Sequence, residues 1–257
     1  MLQASQRTAL SGPALIRLLA RLADVDVPES RQSLSDRLSQ WLGWTDAIAL
    51  SSALNGNPPG VAGGAGVRVF GSAEESEYVR ARSSLAKTIT GDSVFAAHRR
   101  RGSAHASSQS APPEPAADYA VFRQRYLSIQ QSMEMGIGNL RGRLRGMLAA
   151  RTPDMARLAV VDAVMERALS ERERNLLASV PALLAGHFER LRVAEQATLA
   201  AAEAAGDTAG AAASNAAALT PGAWVNVFRK DMQSVLLAEL DIRLQPVEGL
   251  LAALRAS

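Results

Sequence analysis

The sequence predicts an all-α protein, and three observations carry the prediction. The apolar content, 47% of 257 residues, rests on alanine and leucine, with 4% aromatic residues and few β-branched runs; that balance favours helices over sheets. Apolar residues recur at gaps of three and four over stretches far longer than a strand. Thr-Pro steps at Thr152-Pro153 and Thr220-Pro221 stand where such stretches begin, a cap followed by proline in the first helical turn. The expected architecture is a small N-terminal helical module (1–101), a linker (102–117), and a long antiparallel helical hairpin or bundle with a C-terminal helix (118–257).

In chain order, residues 1–10 read as frayed. Ser11 can cap a short helix to about Ala23, with Leu15, Leu18, Leu19 and Leu22 inward. A second helix runs to Leu42, with Leu34, Leu38, Trp41 and Leu42 on one face and Gly43 as its terminator. Thr45 then caps a third helix through Leu54, carrying Ile48 and Leu50. Asn55 to Gly71 is a break of Asn-Gly, Pro-Pro and Gly-Gly steps, in which Val67-Arg68-Val69-Phe70 is at most a short extended piece. Ser72-Ala73-Glu74-Glu75 has the spacing of a capping box and opens a helix with Tyr78, Ala81, Leu85 and Ile89 on one face. Gly91 and Asp92 interrupt it, and Ser93 re-caps a turn through Phe95 to Arg101. Gly102 to Ala117, rich in Ser, Ala, Gln and Pro, has no apolar period and reads as the linker.

The helix from Asp118 to Ala150 organises the rest. Phe122, Tyr126, Ile129, Met133, Ile137, Leu140, Leu144 and Met147 form a coiled-coil-like stripe with one four-residue stutter. At 1.5 Å per residue it would be roughly 50 Å long, so it needs long helical partners. Thr152-Pro153 reverses the chain into an antiparallel return helix carrying Leu158, Val161, Met165, Leu169, Leu176, Val180, Leu184, Phe188 and Leu191. The two rods are expected to bury these seams against each other. Pro181 should kink or break the return helix. Ala200 to Ala218 reads as frayed helix and loop. The last helix carries Trp224, Phe228, Met232, Val235, Leu236, Leu240 and Leu244, and Pro246 is expected to bend it toward Leu254.

The residues supply little chemistry. With no cysteine, disulfides, thiolate catalysis and Cys-based zinc or iron–sulfur sites are excluded. His98, His105 and His187 have no metal-type spacing, and neither a Gly-x-Ser-x-Gly nor a Walker pattern occurs. Gly60–Gly66 lacks the lysine and the strand of a phosphate loop. Asp162 and Glu166 share a helical face, which nearby arginines explain as ion pairing. No catalytic residue, metal ligand or cofactor is expected. Arg17 and Arg21 interrupt the segment from Pro13 to Ala23, so it lacks the apolar core of a signal peptide, and no run approaches 18 apolar residues. A cytoplasmic protein is expected.

Two features remain. Gly138, Gly142 and Gly146, followed by Ala150, form a row on one helical face, at about 1 kcal/mol per glycine relative to alanine. The row is either a flat face for close approach of another backbone, or a weak helix end in an Ala/Gly/Arg-rich sequence. With Arg141 and Arg145, these glycines are the candidate partner-binding residues. The net charge is +3 and arginine dominates, Lys87 and Lys230 being the only lysines. The clusters Arg99-Arg100-Arg101 and Arg143 with Arg151 are candidate nucleic-acid contacts, although no aromatic residues are interleaved for stacking. A GC-rich coding sequence accounts for the same arginine bias.

Val27-Pro-Glu-Ser-Arg-Gln-Ser-Leu-Ser-Asp-Arg-Leu-Ser-Gln-Trp-Leu, Trp44-Thr-Asp-Ala-Ile-Ala-Leu-Ser, Tyr119-Ala-Val-Phe-Arg-Gln-Arg-Tyr and Leu158-Ala-Val-Val-Asp-Ala-Val-Met-Glu resemble stretches of an uncharacterised bacterial family of unknown function. The resemblance covers nearly the whole chain and brings no catalytic motif. Members of that family are often encoded beside a stator-like inner-membrane channel protein and an OmpA-like protein, a setting that resembles type III Zorya anti-phage systems. The resemblance implies a non-enzymatic cytoplasmic accessory whose partner is the helical tail of the stator-like protein or a sister accessory protein. The alternative is an arginine-rich nucleic-acid-binding effector of the same system.

Overall fold

The computed structural model describes residues 13–27, 32–56, 71–95, 117–208 and 222–256. Among these residues there are eight helices and no strand: α1 (Ala14–Ala23), α2 (Leu34–Trp41), α3 (Trp44–Asn55), α4 (Ser72–Thr90), α5 (Tyr119–Ala149), α6 (Pro153–Leu177), α7 (Val180–Thr208) and α8 (Ala223–Ala256). The all-α class is as expected. Ser11, Val67–Phe70, residues 102–116 and Thr220-Pro221 lie outside the described residues.

Local chemistry sets most helix starts. The Asp118 carboxylate accepts the Ala120 N–H at 2.8 Å and opens α5. Thr152 Oγ1 accepts the Met155 N–H at 3.2 Å, with Pro153 in the first turn of α6. Ser33 Oγ accepts the Asp36 N–H and opens α2. Two expected caps shift by a residue or two. Gly43 begins α3 instead of ending α2, so Thr45 lies inside that helix. The N-cap of α4 is Gly71, whose N–H donates to the Glu74 carboxylate at 2.9 Å, the returning half of a capping box displaced by one residue.

Pro181 breaks the return rod cleanly. Having no N–H, it cannot donate to the Leu177 carbonyl four residues back. The chain turns at Ala178 and Ser179 and restarts as α7, with Pro181 in its first turn. Gln130 Nε2 on α5 supplies a donor to the Leu177 carbonyl at 3.3 Å, and the Tyr119 hydroxyl donates to the Pro181 carbonyl. Pro246, by contrast, does not interrupt α8, which runs through it for 34 residues. Beyond it Val247, Leu250, Leu251 and Leu254 are buried, and that packing offsets one lost backbone bond. α7 is helical to Thr208, further than the alanine-rich composition suggested.

Three rods form the frame: α5, the broken rod α6–α7, and α8. α6 runs antiparallel to α5, as Arg141 meets Asp162 and Gln130 meets Leu177. α7 runs antiparallel to α8, where His187 meets Asp231 and Glu195 meets Gly222. With an odd number of rods, α5 and α8 are parallel neighbours and share the core. Phe122, Tyr126, Ile129, Met133, Ile137, Leu140, Leu144 and Leu148 of α5 are buried with Phe228, Met232, Val235, Leu236, Leu240 and Leu244 of α8. At one end Tyr119, Phe122, Phe188, Trp224 and Phe228 meet with ring centroids 4.7–6.2 Å apart, largely edge to face.

The N-terminal helices lie on this frame. α1 rests on α7 and α8, α4 on α8 and α5, and α3 on α6. Leu15, Leu22, Ile89 and Phe95 belong to the same hydrophobic cluster as the long helices, so the chain on either side of the linker shares one core.

The expected seam of the return rod holds in α7, where Val180, Leu184 and Phe188 are buried in the shared core, and requires correction in α6. α6 turns Ala156 and Ala159 inward, whereas Leu158 is 40% and Leu176 59% exposed, and Met165 and Leu169 are only partly covered. The stripe of α5 is spent mainly on α8, and α6 meets α5 through small residues and charge. Leu236→Ala should therefore lower stability by about 2–5 kcal/mol through the cavity it leaves, while Leu176→Ala should change it by no more than about 0.5 kcal/mol. Denaturant midpoints compare the two, and equal losses would contradict this seam.

Candidate functional site

The outer face of α5 is the surface on which the sequence placed its candidate contacts. Gln124, Ser128, Gln131, Met135, Gly138, Gly142 and Gly146 follow one another at gaps of three and four, all exposed and none charged. At 1.5 Å per residue this line is about 33 Å long. A Cβ built at Gly138, Gly142 or Gly146 would meet nothing within 4 Å, so no helix among the described residues packs on the row. Close approach within the chain occurs one position away from it. There Leu85 of α4 lies 3.8 Å from where a Gly136 Cβ would be.

The arginines beside the row turn away from it. Arg141 donates to both carboxylate oxygens of Asp162, at 2.7 and 3.0 Å, in the bidentate geometry that suits a guanidinium. Arg145 donates to Asp162 at 2.9 Å and also to Glu166. Burial lowers the Arg145 pKa, but the hydrogen bonds it donates to Glu166 and Asp162, with their charges, outweigh it, and the pKa ends above that of an ordinary arginine. Arg143, on the other flank, pairs with Glu77 of α4. Glu134 and Arg174 lie 3.6 Å apart at the α6 border. Thus the charges that border the glycine end of the line are paired with opposite charges. Arg141 and Arg145 do not share the open face with the glycines, and Arg143, a candidate phosphate contact, is engaged by a carboxylate. Arg151, half-buried, ends the row near the reversal. Arg99, Arg100 and Arg101 lie outside the described residues, as do His98 and His105.

A second constellation was not foreseen. Glu239 of α8 is fully buried. The Tyr126 hydroxyl donates to it at 2.7 Å, Gln130 Nε2 reaches both oxygens at 3.0 Å, and Arg243 Nε donates at 2.8 Å. Arg243 also reaches Glu173 of α6 at 3.1 Å. Every buried side-chain polar atom among the described residues has a partner. A shallow cleft of about 230 Å³, between Leu127, Gln131, Arg174 and Leu177, opens beside Gln130 and Arg243. The signal was present in the sequence: Gln130 and Glu239 are polar residues inside the apolar stripes of two long helices, where only a matched polar partner justifies them. Their chemistry is cohesive. Burial first, then the Glu239 charge, raises the Tyr126 pKa, so the hydroxyl stays a donor and not a nucleophile.

His187 Nε2 lies 2.8 Å from Asp231, beside Phe228, and joins α7 to α8. Among the described residues no group of three or more His, Asp or Glu side chains is placed to hold a metal.

All three tyrosines resist ionisation. Burial pushes Tyr119 up to about 12, and burial with the Glu248 contact does the same for Tyr78. Because the folded pKa values lie above the unfolded value near 10, the stability these groups contribute is complete below about pH 10 and is lost as pH rises toward 12. Tyrosinate absorbance at 295 nm should therefore appear near pH 12 or together with unfolding. A free titration near pH 10 with the helices intact would contradict the burial described.

No helix among the described residues is long and apolar enough to cross a membrane. No curated protein and no solved structure matches the chain. Over residues 1–256 it matches the family described as "Protein of unknown function (DUF3348)", and the chain belongs to that family.

Proposed function

We propose that this chain is a non-enzymatic helical interaction protein that receives a helix of another protein along the outer face of α5. The observation that carries the proposal is the uncharged, exposed line from Gln124 to Gly146, ending in three glycines that no described element of the chain covers. Each glycine in a helix interior costs about 1 kcal/mol against alanine, and no contact among the described residues offsets that cost. A partner backbone could approach such a face closely, with Met135 as an adaptable apolar contact. Around the glycines the paired charges leave short-range packing and hydrogen bonds to specify the fit.

In the setting that the family resemblance implies, the partner is the cytoplasmic helical tail of a stator-like inner-membrane protein or a sister accessory protein. The chain would then serve as a cytoplasmic accessory of a membrane motor-like anti-phage complex. Arg141, Arg143 and Arg145, each bonded to a carboxylate, favour this over phosphate binding at α5.

The test uses opposite effects of size at one position. Gly142→Ala should raise stability by up to about 1 kcal/mol and leave co-purification with proteins of the neighbouring operon nearly intact. Gly142→Leu should keep the helical fold, since the space is open, and abolish co-purification. Capture unchanged by Gly142→Leu in a folded protein would refute the proposed contact.

A further inference from the structure

We infer that α6, with α3 on its back, is a separable layer held to the rest of the frame, chiefly α5 and α8, by charge and hinged at its two ends. Four facts lead there. The buried residues of α6 are Ala156, Ala159, Val164 and Leu177, only one of them large, although the helix has 25 residues. Of its larger apolar side chains, Leu158 is 40% and Leu176 59% exposed, and those that reach the core cluster, Met155 and Leu177, stand near its two ends. Both ends are breaks: Arg151-Thr152 before Pro153, and Ala178-Ser179 before α7. Between those ends, with little apolar area beyond Ala159, what ties α6 to α5 and α8 is largely ionic: Arg141 and Arg145 with Asp162 and Glu166, Arg243 with Glu173, and Arg174 with Glu134.

α3 follows α6 rather than the frame. It lies against α6, with Asp46 3.3 Å from Arg167 and the Gly56 carbonyl within 3.5 Å of Arg157. Apolar burial scales with area, and alanines contribute little of it. The opening free energy of this layer is therefore lower than that of α5 and α8, which are locked by the leucine and aromatic core. The Asp162 side chain, 13% exposed between two guanidinium groups, is the centre of the latch. Removing its charge leaves two neighbouring arginines without their shared counter-ion, which opposes closure. Opening would uncover the flank of α5 around Ile137, Leu144 and Leu148. This conformational device does not rest on the proposed partner contact, since it needs no second protein.

Hydrogen exchange of the full chain, read by mass spectrometry, tests it. In the native protein, peptides from α3 and α6 should exchange together and faster than those from α5 and α8. Asp162→Asn with Glu166→Gln should speed α3 and α6 by at least about ten-fold while α5 and α8 keep their rates. Arg82→Gln, which removes an exposed ion pair between α4 and α8, should leave α3 and α6 unchanged. The inference is overturned if native α6 exchanges only at the rate of α8. It is equally overturned if the double substitution leaves α6 as it was, speeds all helices alike, or releases α6 without α3.

Discussion

The structure depends on one contact, the parallel seam between α5 and α8. Its centre is a buried carboxylate, Glu239, surrounded by Tyr126, Gln130 and Arg243. Burying a carboxylate without enough donors is costly, and of its three donors Arg243 comes from α8 itself, so the register of the seam is set by bringing Tyr126 and Gln130 of α5 to it. The leucines on either side supply the driving force but little discrimination, because a shift of one turn would still bury leucine on leucine. The polar cluster provides the discrimination, as a polar residue in an apolar helical interface does elsewhere. It also reaches the break in the return rod: Gln130 satisfies the Leu177 carbonyl that Pro181 cannot, and Arg243 holds Glu173. One cluster therefore fixes the pairing of α5 with α8 and the point at which α6 becomes α7.

What the sequence could and could not convey follows from range. Caps and prolines act over three or four residues, so Asp118, Thr152 and the Pro181 break were legible, and so were the buried stripes of α5 and α8. The partner of each stripe was not. Tight reversal at Pro153 suggested that α5 and α6 would share their leucines, yet Leu158 and Leu176 of α6 face outward and α8 takes the place opposite α5. Nothing local reports which of two apolar stripes a third will choose. The ion pairs were legible in kind. Asp162 and Glu166 did read as ordinary pairing, but with Arg157 and Arg167 in mind, whereas Arg141 and Arg145 across the hairpin are the partners. At the candidate contact the sequence placed three glycines on one face, and the structure leaves that face open. It separates from them the arginines grouped beside them.

Two kinds of surface result from this economy. On α5 the outward face is smooth, uncharged and made costly by glycine, the pattern of a helix face reserved for something else. On α6 the inward face is small and ionic, the pattern of a contact able to open. Belonging to a family of unknown function, the chain offers these two faces as the places where its activity is to be sought, while its ionisable groups are largely consumed in holding helices together.

The most direct test of the central claim is the coupling between Tyr126 and Glu239, measured in a double-mutant cycle of Tyr126→Phe and Glu239→Gln by denaturant unfolding. The residues are 113 apart in sequence and meet only if α5 and α8 pair in this register. A coupling energy of about 1–3 kcal/mol is predicted for a buried hydrogen bond to a charged group. Effects that add within about 0.3 kcal/mol would show that the two side chains do not touch and that the seam is wrong.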